Sequence, residues 1–142
     1  MKEVVISIRS VQDYDDEKSQ SFEFTTDGLY SFENGVGRLT YYESEVSGLP
    51  GTRTTMSISP EEIVLNREGF LTSCMVFREG KKNAVMYDTP YGTAKMGIDT
   101  RRIRQSFDEK GGNMELNYIL DIEHAVVGKN KLELNVKEIG PF

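Results

Sequence analysis

The chain has 142 residues, of which 37% are hydrophobic and 28% are charged, and its formal net charge is -6 at pH 7. This size is typical of a single domain, and the composition is too apolar for a disordered protein. The negative charge disfavours a general affinity for nucleic-acid backbones or anionic lipid. The N-terminus shows no secretory or transit pattern, and no apolar run approaches the roughly 18 residues of a membrane helix. We therefore expect one soluble domain over residues 1–142 and a cytoplasmic location.

Alternating apolar and polar residues dominate the chain from its beginning, and this alternation is typical of a strand with one face on a core. Val4, Ile6 and Ile8 form the first such pattern, and Phe22 with Phe24 marks a second strand. A turn is predicted at Asp27-Gly28, because this pair is frequent in turns. Six further short strands are predicted at residues 36–46, 53–58, 63–66, 70–78, 84–87 and 93–98.

Two segments carry weak helix signals. Ser59-Pro60-Glu61-Glu62 combines a helix-capping residue, a proline and early acidic residues, and this order favours a helix start. Because turn residues follow soon afterwards, at most one helical turn is expected there. Residues 100–107 fit either a short helix or a continuation of the preceding strand.

The clearest strand lies near the C-terminus, where apolar residues alternate with polar ones over residues 114–122. A second alternating segment follows at residues 132–136, after the turn-like Gly128-Lys129-Asn130. The two segments are predicted to form an antiparallel hairpin. Nine or ten strands without a long helix predict an all-β sandwich or barrel, and closure into a single antiparallel barrel of about 8–10 strands removes the exposed edges.

Catalytic and metal-binding patterns are sparse. Cys74 is the only cysteine and His124 the only histidine, so the sequence excludes a metal site built from clustered histidines and cysteines. Cys74 lies in an apolar segment and is expected in the core, whereas His124 is expected to face solvent. We assign no catalytic residue and predict neither a metal nor another cofactor.

A basic cluster at Arg101, Arg102 and Arg104 is the one feature suited to a phosphate backbone. Because the whole chain is acidic, we interpret the cluster as a solvated charged turn. Neither nucleic acid nor membrane is expected as a partner, and the sequence leaves the oligomeric state open.

The segment that begins at Leu39 carries the candidate site. If Leu39 points inward, strand alternation also sends Tyr41, Glu43 and Glu45 inward. An outward Leu39 would instead place Tyr42 and Val46 in the core. A carboxylate inside a barrel needs a partner, because an unpaired buried charge is costly.

The next two strands supply such partners. Inward-facing Met56 carries Thr54 inward on one strand, and inward-facing Leu65 carries Arg67 inward on the other. Arg67 is therefore predicted to meet Glu43 inside the barrel, since a guanidinium pairs well with a carboxylate.

These segments and the later strands contain a series of short motifs in a fixed order. The motifs are Tyr41-x-Glu43, Gly48, Gly51, Thr52, Thr54, Arg67-x-Gly69, Thr89-Pro90-Tyr91-Gly92, Met96 and Thr100. With these motifs the chain resembles the YwiB-like family of uncharacterised bacterial proteins, and the resemblance covers essentially the whole chain. It implies a calycin-like, lipocalin-type barrel whose interior can hold a small ligand, and it implies no activity.

The preferred hypothesis is an intracellular barrel that binds a small, partly polar ligand in its interior. One alternative is a structural barrel with a satisfied interior polar network and a role in protein interactions. Another is an enzyme that uses Glu43 or Glu45 as a general acid or base. The candidate ligand-binding residues are Tyr41, Glu43, Thr54 and Arg67, with Glu45, Tyr91 and Tyr118 as secondary candidates.

Overall fold

The structure, a computed structural model, describes residues 1–13, 20–43, 51–69, 72–122 and 125–139. These residues form ten strands in a single antiparallel sheet, and no helix among them is long and apolar enough to cross a membrane. The predicted all-β class is confirmed. The strands are β1 (Lys2–Asp13), β2 (Gln20–Glu33), β3 (Val36–Tyr42), β4 (Arg53–Ile58), β5 (Ile63–Glu68), β6 (Ser73–Phe77), β7 (Lys82–Thr89), β8 (Gly92–Asp108), β9 (Gly111–Ile122) and β10 (Ala125–Glu138).

The sheet is an up-and-down meander that curls into a nearly closed barrel. Every strand except β6 pairs with the next along the chain, and β1 also pairs with β10, so the first and last strands meet. The remaining seam lies between β6 and β7, where Thr72 and Asp88 form an isolated antiparallel bridge. The arrangement confirms the predicted barrel and removes most of the exposed strand edge.

The two segments with helix signals are not helical. Residues 100–107 belong to β8, which pairs with β9 from Met96 to Asp108 and carries an irregularity between Thr100 and Arg102. The loop after β4 is closed by Ser59, whose hydroxyl donates to the Glu62 carbonyl at 2.9 Å. The polar residues that favour a helix start therefore stabilise a tight strand connection instead.

Two predicted turns are wrong because long strands run through them. Asp27-Gly28 lies inside β2, where a Cβ on Gly28 would collide with Ile6 Cδ1 and come within 2.7 Å of the Thr40 carbonyl oxygen. This glycine allows close approach of neighbouring strands, not a turn. Gly128-Lys129-Asn130 lies inside β10, and the β9–β10 connection falls at residues 123–124, outside the described residues.

The core fills one end of the barrel. Inward-facing residues of β3, β4, β5 and β6 form cross-strand rows, such as Leu39, Met56, Leu65 and Met75. The C-terminal hairpin pairs as predicted, with Leu116 opposite Leu132. The other fully buried large side chains are Val4, Ile6, Tyr30, Ile58, Ile63, Phe77 and Ile98.

Cys74 is exposed, which corrects the expectation that it lies in the core. On β6 the neighbouring Ser73 and Met75 face inward, so Cys74 faces outward. The run of apolar residues around Cys74 hides this alternation in the sequence, because a strand at a barrel seam can carry apolar residues on both faces.

Candidate functional site

The barrel encloses a cavity of about 230 Å³. It lies beyond the packed core, at the end of the barrel shared by the β1–β2, β3–β4 and β5–β6 connections. Its wall combines apolar and aromatic side chains with a few polar ones. The polar lining residues are Ser10, Gln12, Tyr41, Glu43, Arg67, Tyr118 and Asn130, and the apolar ones include Phe22, Phe24, Met56, Met75, Met96, Leu120 and Leu132.

One side of the cavity is built on a row of polar residues across four strands. Tyr41 on β3 lies opposite Thr54 on β4, Thr54 lies opposite Arg67 on β5, and Arg67 lies opposite Ser73 on β6. All four belong to the inward-facing set because they continue the alternation of the apolar rows beneath them. The register thus places four polar groups next to one another at the boundary between core and cavity.

Glu43 lies next to this row at the end of β3. Its side chain is only 3% exposed, and its Oε1 accepts a hydrogen bond from the Thr54 hydroxyl at 2.7 Å. Arg67 Nε lies 3.9 Å from the same oxygen, so the two side chains form an ion pair without a direct hydrogen bond at that nitrogen. The Glu43 backbone N–H donates to the Thr52 carbonyl at 2.8 Å, which holds the end of β3 against β4.

Tyr41 completes the group. Its ring is buried, and burial is the main reason that the pKa of its phenol lies well above the ordinary value of 10. The negative charge of Glu43 and a hydrogen bond to that carboxylate raise the pKa further, whereas the Arg67 charge lowers it. Tyr41 therefore stays a neutral hydrogen-bond donor at neutral pH.

A second polar group lies on the opposite part of the wall. Gln12 on β1 pairs with Asn130 on β10, and Asn130 pairs with Tyr118 on β9. Ser10 lies two residues before Gln12 on the same inward face. Ser10, Gln12 and Asn130 were not predicted from the sequence, although extending the alternation of Ile6 and Ile8 would have placed the first two inward.

The four primary candidates from the sequence come together as predicted. Tyr41, Glu43 and Arg67 line the cavity, and Thr54 lies fully buried behind them, bonded to Glu43. This confirms their predicted inward orientation, while a binding role remains a prediction.

The secondary candidates do not share one place. Tyr118 lines the cavity and packs on Phe77, with ring centroids 5.1 Å apart. Tyr91 is 91% exposed in the β7–β8 connection and lies away from the cavity wall. Glu45 and His124 lie outside the described residues.

Three buried hydroxyls have no hydrogen-bond partner among the described residues: those of Thr52, Ser73 and Thr100. Ser73 belongs to the polar row, and Thr52 lies just before β4, fully buried two residues ahead of Thr54. The Gly69 backbone has φ +141° and packs tightly on Gly51 and Thr52, which explains why a glycine follows Arg67 at this spacing.

The basic cluster on β8 is accompanied by acidic groups. Arg101 forms an ion pair with Asp99 at 3.0 Å, and the Ile103 backbone N–H donates to Glu79. The positive charge of the basic cluster is therefore partly balanced at the surface. Among the described residues, no group of three or more histidine, cysteine, aspartate or glutamate side chains could hold a metal ion.

The cavity can therefore offer an ion pair, neutral hydroxyl and amide groups, and aromatic surface to a molecule inside it.

A family model described as a domain of unknown function, DUF1934, matches residues 6–134. This chain belongs to the DUF1934 family. The match covers all of β2 to β9 and most of β1 and β10, and together with the two YwiB comparisons that follow it confirms the family resemblance seen in the sequence motifs.

Two further comparisons support the DUF1934 barrel. The uncharacterized beta-barrel protein YwiB of Bacillus subtilis (strain 168) is 24% identical over 119 residues, which are 84% of this chain and 82% of YwiB. The crystal structure of the ywiB protein from Bacillus subtilis has a TM-score of 0.86 at 21% identity, covering 98% of this chain and 93% of that one. At this level of identity the likeness shows the shared fold.

Proposed function

We propose that this DUF1934 protein is a cytoplasmic, calycin-like binding protein that holds a small, partly polar ligand inside its barrel. The observation that carries the proposal is the cavity of about 230 Å³ with the Glu43–Arg67 pair in its wall. Up-and-down barrels that hold one small ligand have this combination of a packed end and a lined interior space.

The composition of the cavity wall supports binding. Ligand sites are mostly apolar with a few placed polar groups that set orientation and specificity. Here Phe22, Phe24 and Met56 supply apolar surface, while Glu43 and Arg67 supply charged hydrogen-bonding groups. A barrel that needed only stability would gain as much from apolar residues of similar volume in these positions, because a buried ion pair is costly to desolvate.

The test is native mass spectrometry of the protein purified from its own host, followed by identification of any bound small molecule. Arg67→Met should abolish the bound mass, because it removes the charged donor from the cavity wall. Arg53→Met is the matched control: Arg53 lies on the adjacent strand, points outward and pairs with exposed Glu68 at 2.8 Å. This control should retain the bound molecule.

The outcome that contradicts the proposal is equally specific. If the wild-type protein carries no small molecule, and Arg67→Met changes only the free energy of unfolding, the polar group is a structural network and the interior has no ligand.

A further inference from the structure

The charges of the cavity wall add a constraint on what can bind there. Among the described residues that line the cavity, Glu43 and Arg67 are the only ones with charged side chains, and they lie within 3.9 Å of each other. The wall therefore carries one negative and one positive charge that largely cancel. The interior presents a dipole and no net charge.

A charged ligand would be opposed by this arrangement. An anion placed against Arg67 would also lie near the Glu43 carboxylate, and a cation placed against Glu43 would lie near the guanidinium. In either case one charge of the ligand would face a like charge inside a barrel where water screens poorly. The desolvation of the ligand's own charge would add to this cost.

The opposite part of the wall favours an uncharged polar group. Ser10, Gln12 and Asn130 line it with a hydroxyl and two carboxamides. Hydroxyls and carboxamides both donate and accept hydrogen bonds, so they match amide, hydroxyl or carbonyl groups of a ligand without requiring a charge.

The size and surface of the cavity favour one planar ring. An apolar cavity of about 150 Å³ holds one benzene molecule, and this cavity of about 230 Å³ leaves room for a ring with a small polar substituent. Phe22 and Phe24 stack with centroids 6.1 Å apart and 18° between their planes. Aromatic faces and the thioether of Met56 are suited to contact with a flat ring.

We infer that the cavity selects an uncharged molecule with a single planar ring and an amide or hydroxyl group, and that it discriminates against charged analogues of the same shape. This inference rests on the proposed function, since it names the class of ligand for the same site.

Three probes of one shape test the inference: benzamide, benzoate and benzamidinium, which share the ring and differ in charge. Binding is measured by chemical-shift titration of the isotope-labelled protein. Benzamide should bind the wild type at least about tenfold more tightly than either ion, a difference equivalent to about 1.4 kcal/mol. The shifted resonances should belong to cavity residues such as Ser10, Phe24 and Tyr118.

Two variants should shift the preference towards one of the ions if the charge argument is right. Glu43→Gln leaves Arg67 alone and gives the wall a net positive charge, so benzoate should gain at least about tenfold relative to benzamide. Arg67→Met leaves Glu43 alone, so benzamidinium should gain by a similar factor. Arg53→Met, on the outer face, should leave all three affinities unchanged.

The outcomes separate this inference from the proposed function. If benzoate or benzamidinium binds the wild type most tightly, the charge selection is wrong while interior binding stands. If none of the three probes binds, the inferred ligand class is wrong, and the mass spectrometry of the purified protein decides independently whether the interior carries a ligand.

Discussion

Neighbouring arginines on β4 and β5 show how one step in register changes the role of a side chain. Arg53 lies opposite Glu68 and Thr54 lies opposite Arg67, so the two arginines point to opposite faces of the sheet. The Arg53–Glu68 pair is exposed, with side chains 49% and 66% accessible, and contributes at most about 1 kcal/mol. In the Arg67–Glu43 pair the side chains are 19% and 3% accessible, so removal of either one leaves the charge of the other buried without its partner.

Removing one member of this inner pair should therefore be costly, because its partner is left as an unpaired buried charge. Arg67→Met leaves the buried Glu43 carboxylate without its charged partner and should lower the free energy of unfolding by on the order of 3 kcal/mol. The double variant with Glu43→Gln should lose less than the sum of the two single changes, because no unpaired charge remains. Urea denaturation of the four proteins measures the coupling, with Arg53→Met as the surface control. Additive losses would show that the two side chains are independent.

Tyr30 should make the fold sensitive to alkali. It is fully buried, its hydroxyl donates to the Asp108 carbonyl at 2.7 Å, and burial followed by the Asp108 charge raises its pKa to about 12. A pKa raised above the unfolded value of about 10 means that its contribution is complete below pH 10 and is lost as the pH rises to 12.

The free energy of unfolding should thus fall between pH 10 and 12, and Tyr30 should account for up to about 2 kcal/mol of the fall. Tyr30→Phe should make this fall shallower, while costing about 1 kcal/mol at neutral pH through the lost hydrogen bond. Denaturation at stepped pH measures both effects, and Tyr42→Phe, at a 65% exposed position, should leave the stability at neutral pH unchanged. An identical alkaline slope in Tyr30→Phe and wild type would contradict the assignment.

At the scale of strands, the seam between β6 and β7 is the weakest junction in the described part of the barrel. Thr72 and Asp88 exchange the only backbone hydrogen bonds between these strands among the described residues, both at 3.0 Å. Further along, the Asn83 side chain donates to the Val76 carbonyl at 3.0 Å, so a side chain replaces the ladder bond. By comparison, β1 and β10 pair over ten consecutive positions.

The backbone N–H groups of Cys74 and Val76 should therefore exchange hydrogen faster than those in the centre of β9 or β10. Every second residue of a strand directs its backbone N–H to the same side. Because the Thr72 N–H points to Asp88, those of Cys74 and Val76 point towards β7 as well. Hydrogen exchange followed by nuclear magnetic resonance measures the rates residue by residue. Equal protection of β6 and β9 would contradict a weak seam.

A covalent bond across the seam gives a complementary test. Extending the antiparallel register of the Thr72–Asp88 bridge by two residues would bring exposed Cys74 opposite exposed Met86, so Met86→Cys should form a disulfide with the native cysteine under mild oxidation. The closed form should be about 2–3 kcal/mol more stable than the reduced form and should slow exchange in β6. Met86→Ser under the same oxidant is the control. Failure of the bond to form would show that the two strands do not adopt this register.

The whole molecule closes because its first and last strands pair. Val4 through Asp13 on β1 lie opposite Lys129 through Glu138 on β10, and Lys2 adds an ion pair with Glu138 at 2.9 Å. Residues more than a hundred positions apart must therefore meet before the barrel is complete. The closed wall separates the outer surface from an interior in which one ion pair and several neutral polar groups surround the cavity.

Much of this architecture could be predicted from the sequence by itself. Alternation identified the strand class, the C-terminal hairpin and the inward orientation of Tyr41, Glu43 and Arg67, because a period of two assigns every second side chain to the same face. The same rule predicted that Glu43 and Arg67 would be close enough to interact, as the 3.9 Å ion pair shows.

Other features depended on contacts between distant strands. Gly28 and Asn130 are residue types frequent in turns, yet each lies inside a long strand. Gly28 pairs with Val4 on β1, and Asn130 pairs with strands on both sides. The closure of the sheet also determines three other features: the outward position of Cys74, the second polar group at Gln12 and Asn130, and the seam at β6–β7. Local sequence determines which face a residue occupies, but only the closed barrel determines which distant faces share a cavity, since pairing and curvature bring those strands together.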